Sequence, residues 1–239
     1  MKVLDHGHVR LVDTMPSPDS MKWDEPITAP GDRRIVNAAR VSISGLNVRP
    51  MADDEKLIRY LIDNRHGSPL EKVCFEFDCK MPIFVARQWI RHRIGSFNEM
   101  SARYGELPEE YYVPALDRLQ FGGQSKDNKQ GSGVPIPTHI AELLQDEIKS
   151  SSRASFTSYK WLLEYGVARE LARVVLPVNV YTRWFWTVNL RSLFNFLELR
   201  LHPHAQWEAR EYAKAILQLA EPLAPYAFKA WRQKESIEV

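Results

Sequence analysis

Residues 73–81 read VCFEFDCKM, and the alternation in this stretch decides the fold class. Side chains of a strand point to opposite faces in turn, so Val73, Phe75, Phe77, Cys79 and Met81 share one apolar face. Cys74, Glu76, Asp78 and Lys80 share the other. A strand with one apolar and one polar face belongs to an antiparallel sheet covered on one side only. Cys79 therefore faces the core and Cys74 the polar side. Neither has an activating base close in sequence, so both read as structural thiols.

Working towards the N-terminus, Ser68-Pro69-Leu70-Glu71 has the form of a capping box with proline at the first helical position. Leu57, Ile58, Tyr60 and Leu61 form the apolar stripe of a helix that opens on Asp53 and Asp54 and ends at His66-Gly67. Residues 36–40 read as a short helix leading into Val41 and Ser42, and residues 9–15 (VRLVDTM) as a first strand.

Towards the C-terminus, Pro82 starts a helix over IFVARQWIRHR, whose i, i+4, i+7 spacing aligns Phe84, Gln88 and Arg91. The polar stretch SFNEMSARYGELP follows, and Tyr111–Val113 then reads as a short strand. Residues 121–134 (FGGQSKDNKQGSGV) read as a flexible surface loop, an insertion. Beyond it the chain turns mostly helical. Thr138 caps a long helix that Gly166 ends, and a second runs from Val167 to Leu176 before Pro177. VNVYTRWFWTV is strand-like; Trp184, Phe185 and Trp186 in it suit core or interface packing better than stacking on a cofactor. Asn189 is placed to cap the helix LRSLFNFLELRL, and a last helix covers Trp207 to Leu219. Strands and helices do not alternate regularly, which predicts a single α+β domain with an antiparallel sheet and a mostly helical C-terminal half.

The chain has 239 residues, 44% hydrophobic and 26% charged, with a formal net charge of +2. A chain of this length buries roughly 70–75% of its unfolded surface and needs no disulfide or structural metal. Disorder and disulfide scaffolds are excluded, and the charge balance argues against a protein that coats nucleic acid or an anionic membrane. No window holds the ~20 apolar residues of a membrane span. The start, MKVLDHGHVRLVD, places acids and histidines where a signal peptide has its apolar core, which predicts a cytoplasmic protein. There is no G-x-G-x-x-G and no G-x-x-x-x-G-K-[ST], so any nucleotide is held by side chains. His202 and His204, in H-P-H, lack a carboxylate or thiolate at ligand spacing, so no metal is expected.

The positive charge is concentrated. Arg87, Arg91, Arg93 and Arg103, with His92, fall within seventeen residues and face only Glu99. Guanidinium forks suit phosphate, and Ser96, Asn98, Ser101 and Tyr104 add polar edges. A solvated basic helix end and a clamp for single-stranded RNA are the alternatives. Neither requires so fixed a polar string as R-H-R-x-x-S-x-N-E-x-S-x-R-Y.

That string, RHRIGSFNEMSARY at 91–104, resembles the signature of the flavin-dependent thymidylate synthases, the ThyX family. The resemblance extends over nearly the whole chain: AARVS at 38–42, HGSPLE at 66–71, IFVARQW before the signature, and ARVVLPVNVYTRWFWTVNLRSLFNFLELR and HAQWE after it. The Gly/Ser-rich loop at 121–134 is the main departure and lies away from these motifs in sequence. The resemblance implies conversion of dUMP to dTMP with methylenetetrahydrofolate, FAD and NADPH, by a homotetramer whose sites are built from several subunits. It implies FAD contacts at Ser68, Arg91, His92, Arg93, Glu99, Asn189, Arg191 and Asn195. For dUMP it implies Gln88, Arg91, Glu99, Ser101, Arg103, Arg173 and Arg200, with Ser101 and Arg103 at the phosphate. Ser42 and His66 match positions near the flavin, and Arg200 matches the residue that activates the uracil.

Overall fold

A computed structural model describes residues 1–17, 29–41 and 51–237. The reading for Ser42 lies outside the described residues. Five antiparallel strands form the sheet in the order β1 (Lys2–Val3), β2 (Gly7–Met15), β3 (Cys74–Pro82), β7 (Tyr181–Asn189), β4 (Ser96–Glu99). β3 is the central strand, and the alternation read from it holds. Phe75, Phe77, Cys79 and Met81 are buried, and Phe77 and Cys79 pair with Trp186 and Trp184 of β7.

The apolar face is covered by α3 (Ile83–Trp89), α7 (Leu190–Leu201) and α8 (Trp207–Ala220). Trp89 meets Trp184 and Trp186 edge-on, with ring centroids 5.6 and 5.1 Å apart, and Phe196 lies 4.8 Å away. Trp184 and Trp186 are thus core residues; Phe185, on the opposite face, is 39% exposed. On that face Asp78 is nonetheless buried, because Arg10 and Arg183 cover it and bind its carboxylate. Burial opposes its ionisation, but the hydrogen bonds from Arg183 and Arg10 win and lower its pKa to about 2.

α1 (Pro30–Arg40) begins six residues earlier than the apolar pattern indicated, with Pro30 in its first turn. It packs beside α2 (Met51–Asp63) and α9 (Pro225–Glu235), a helix the sequence reading missed. Asp32 of α1 explains how α9 starts: its carboxylate accepts from the backbone N–H groups of Tyr226 and Ala227, at 2.9 and 3.0 Å. A cap supplied by a residue almost two hundred positions away leaves no local sequence signal.

Several boundaries differ for similar reasons. Ser68-Pro69-Leu70-Glu71 forms no capping box; Leu70–Lys72 is a single 3-10 turn without a side-chain cap. α3 stops at Trp89, where the His92 N–H bonds back to the Trp89 carbonyl and the chain turns to feed β4. Arg91 is therefore not on the helix with Phe84 and Gln88. The aperiodic stretch after it is the edge strand β4, too short to show alternation and recognisable only by pairing with β7. Tyr111 makes one isolated bridge to Val180. Residues 121–134 follow α4 (Leu116–Gln120) and contain a hairpin, β5 (Gly123–Gln124) with β6 (Ser132–Val134). Gly166, at φ +80°, ends α5 (Thr138–Glu164), although the residue before that helix is Pro137 and Thr138 binds Gln120 instead of capping. The expected second helix is split into α6 (Arg169–Ala172) and a 3-10 turn, Arg173–Val175. Asn189 caps α7 as expected, its side chain accepting from the Ser192 N–H at 2.9 Å.

Candidate active site

The turn after α3 and the exposed side of α7 form the walls of two adjoining cavities. α7 buries Leu193, Phe194, Phe196 and Leu197 in the core, Phe194 lying on Phe228 and Trp231 of α9, so Arg191, Asn195, Glu198 and Arg200 are left on its outer side. One cavity, of about 770 Å³, is lined by Gln88, Arg91 and Arg200 together with Arg87 and Gln206. The other, about 530 Å³, is lined by Arg91, His92, Arg93, Arg191, Asn195 and Arg200. Arg91 and Arg200 belong to both.

Arg200 is held by partners that leave its charge intact. Its Nε–H donates to His92 Nε2 at 3.0 Å, and its Nη2–H donates to the Gln88 carbonyl at 2.9 Å. Burial, then the Arg200 charge, lower the His92 pKa to about 4, so the imidazole is neutral at pH 7 and available as an acceptor. Phe196 backs the imidazole edge-on at 5.0 Å. Arg91 and Arg93 make no side-chain hydrogen bond or ion pair among the described residues. Unpaired guanidinium groups facing a cavity suit an anion.

Two kinds of comparison identify the lineage. Residues 27–226 match the family model described as thymidylate synthase complementing protein. The chain is 45% identical to a flavin-dependent thymidylate synthase of Thermus thermophilus over 97% of its own length and 77% of the relative's. The chain belongs to the flavin-dependent thymidylate synthases. A relative of the same name from Thermosipho africanus is 44% identical, covering 96% of this chain and 92% of that one. The crystal structure of a UMP/dUMP methylase, PolB from Streptomyces cacaoi bound with 5-Br dUMP, superposes with a TM-score of 0.84 at 31% identity over the whole of both chains. The α+β fold and the enzyme class expected from the signature stand with the family.

Against that family's pattern, one chain brings together only part of the expected set. Arg91, His92, Arg93, Arg191 and Asn195 line one cavity, and Gly67, next to Ser68, packs so closely on Arg191 that a Cβ there would meet its guanidinium at 2.5 Å. Ser68 and His66 are exposed in the turn that carries Gly67. Asn189 spends its carbonyl oxygen on the α7 cap. Glu99 accepts from the Thr182 hydroxyl at 2.6 Å, on β4 at the sheet edge. Ser101, Arg103 and Arg173 line neither cavity. They sit in surface turns, where Ser101 Oγ accepts from the Arg103 N–H and Arg103 and Arg173 both lean on Glu170, one on its carboxylate and one on its carbonyl.

Sequence reasoning missed other lining residues. Glu71 pairs with Arg191 at 2.6 Å, and Gln206 accepts from Gln88. Both lie in segments the family resemblance had flagged, HGSPLE and HAQWE, which was the available signal. Gln130, in the Gly/Ser-rich segment, also lines the larger cavity, so that segment is not remote from the site as its sequence position suggested. His202 and His204 line the same cavity, and His202 Nδ1 accepts from the His204 N–H at 3.1 Å. Among the described residues no group of three or more His, Cys, Asp or Glu is placed to hold a metal ion. Burial pushes the thiols of Cys74 and Cys79 upward, Cys79 strongly, which makes both poor nucleophiles.

Proposed function

We propose that the protein converts dUMP to dTMP by reductive methylation, with methylenetetrahydrofolate as one-carbon donor and NADPH as reductant through FAD. The arrangement of Arg200 carries this reading. Uracil C5 is a poor nucleophile, and without a competent thiol the remaining way to activate it is to stabilise the negative charge that develops as N3 loses its proton. Arg200, oriented by His92 and the Gln88 carbonyl, holds a fixed positive charge in a partly enclosed cavity beside Arg91, and such preorganised charge is often the largest catalytic contribution.

FAD carries a pyrophosphate and two ring systems, and the residues present suit it. Arg91, Arg93 and Arg191 offer cationic forks, and His92 and Asn195 offer polar edges, along a cavity that adjoins a third, of about 350 Å³, lined in part by Leu61, Phe194 and Trp231. When bound, FAD supplies the redox and one-carbon chemistry that no side chain offers. The protein binds, orients and excludes water.

Ser101, Arg103 and Arg173 complete a phosphate site in this reading when they are presented to the cavity of another copy, as in a homotetramer with shared sites. Their separation from Gln88, Arg91 and Arg200 within one chain supports that assembly. None of the helices is long and apolar enough to cross a membrane among the described residues, and a cytoplasmic enzyme acting on small molecules, without nucleic acid or membrane partners, fits the balanced charge. The test is a dTMP-formation assay omitting FAD, NADPH, methylenetetrahydrofolate or dUMP in turn. Each omission is expected to abolish product, and product formed without FAD would overturn the reading.

A further inference from the structure

We propose that the β5–β6 hairpin is a wall of the uridine-nucleotide cavity, and that the Gln130 carboxamide contacts the base edge or the sugar of the bound nucleotide. The inference rests on the reading that this cavity holds dUMP. Gln130 lines the 770 Å³ cavity in company with Arg87, Arg91 and Arg200. The three arginines are donors only, and the other two lining carboxamides, Gln88 and Gln206, are bonded to each other. A carboxamide is neutral and both donates and accepts, which suits a uracil edge or a hydroxyl better than a phosphate.

The hairpin is built to hold that side chain in place. Gln124 Nε2 sits among the carbonyls of Ser125, Asn128, Lys129 and Gly131, at 3.4, 3.3, 3.1 and 3.0 Å, which gathers the turn around one amide. Asn128 Oδ1 accepts from the Gln130 N–H at 3.1 Å and sets the backbone from which the side chain leaves. At its base the hairpin is fixed to α4, the Ile136 N–H donating to the Gln120 carbonyl at 2.7 Å. α4 in turn is fixed to the cavity wall: Arg118 donates to the buried Glu208 at 2.9 Å and lies 5.5 Å from the ring of Trp207, the residue after Gln206. Hairpin, α4 and the start of α8 are therefore connected by direct contacts, and the segment that departs most from the family's pattern is positioned to tune nucleotide recognition.

The experiment uses the FAD-loaded enzyme, measuring both dUMP Kd by equilibrium binding and the steady-state constants. For Gln130→Ala we expect a roughly 2- to 10-fold rise in Kd and KM for dUMP, the range of one neutral hydrogen bond, with kcat within about twofold. Gln130→Glu, which removes the amide donor and brings a negative charge to an anionic nucleotide, should raise both further. Lys126→Ala, on the same hairpin but not lining the cavity, should leave them unchanged, and dUMP should slow amide hydrogen exchange in residues 123–134. Wild-type Kd and KM in both Gln130 variants would overturn the hairpin inference while leaving the proposed reaction standing. A weakened Kd in an enzyme that forms no dTMP would overturn the reaction and sustain the inference.

Discussion

Arg200 and Arg91 in the cavity are held differently from Arg103 on the surface, while Arg191, which also lines the cavity, is paired with Glu71. In the cavity, Arg200 donates to a neutral imidazole and a backbone carbonyl, and Arg91 to nothing among the described residues. Such partners orient a guanidinium without cancelling its charge. On the surface turn, Arg103 pairs with the Glu170 carboxylate at 3.3 Å, both side chains being more than half exposed. An exposed pair of that kind is worth about 0–1 kcal/mol and is given up easily when a stronger anion arrives. In our reading the first two are preorganised for chemistry within one chain, and the surface arginine is held on a weak partner until a phosphate bound at another copy replaces it.

The largest effect is expected at the preorganised group. Arg200→Ala should lower dTMP formation by about 10²- to 10³-fold, the scale of losing one preorganised electrostatic contact, while FAD absorbance is retained. Normal turnover in that variant would remove the distinction altogether. At the surface group, Arg103→Ala and Arg173→Ala should raise the dUMP requirement by roughly 10- to 100-fold, the range of a hydrogen bond to a charged group, with a smaller change in kcat. Unfolding and refolding Arg200→Ala together with Arg103→Ala sharpens the contrast. If the groups meet only between copies, the mixture regains activity at a low dUMP concentration where neither variant alone turns over, whereas silence there would place both groups in one chain's site.

A smaller effect concerns the neutral partner. His92 has a folded pKa of about 4 against 6.5 when unfolded, so the unfolded chain takes up a proton first as pH falls. Its contribution to stability is complete above pH 6.5 and is lost between 6.5 and about 4, with a slope of at most about 1.4 kcal/mol per pH unit. Asp32, pushed up by burial to about 7, acts in the opposite sense over much of that range. The measurable quantity is thus the difference between wild type and His92→Gln in denaturant titrations at pH 7 and pH 5; identical pH dependence would contradict the neutral-imidazole arrangement. The smallest effect belongs to the thiols. Cys74→Ala combined with Cys79→Ala should keep turnover within about twofold, at some cost in core packing, and loss of activity in a folded variant would restore a thiol mechanism.

Legibility in the sequence followed the range of the interaction involved. The alternation of 73–81 and the Asn189 cap depend on a few adjacent residues, and each is found as read. The long polar string at 91–104 was equally visible as a resemblance, because it is contiguous in the chain. Composition contained no trace of a flavin, since a cofactor leaves its mark in the surfaces that hold it.

What depends on distant partners could not be read along the chain. β4 is four residues long and becomes a strand through pairing with β7, and α9 begins where Asp32 reaches it. The link between Arg200 and His92 spans 108 positions. Gln130 reaches the cavity because α4 is bound to Glu208, ninety positions away from Arg118. By itself the sequence determined the antiparallel sheet, its covered face and the family. The tertiary structure decided which charges remain unneutralised and which loop lines the cavity, because both follow from contacts between side chains that local periodicity does not encode.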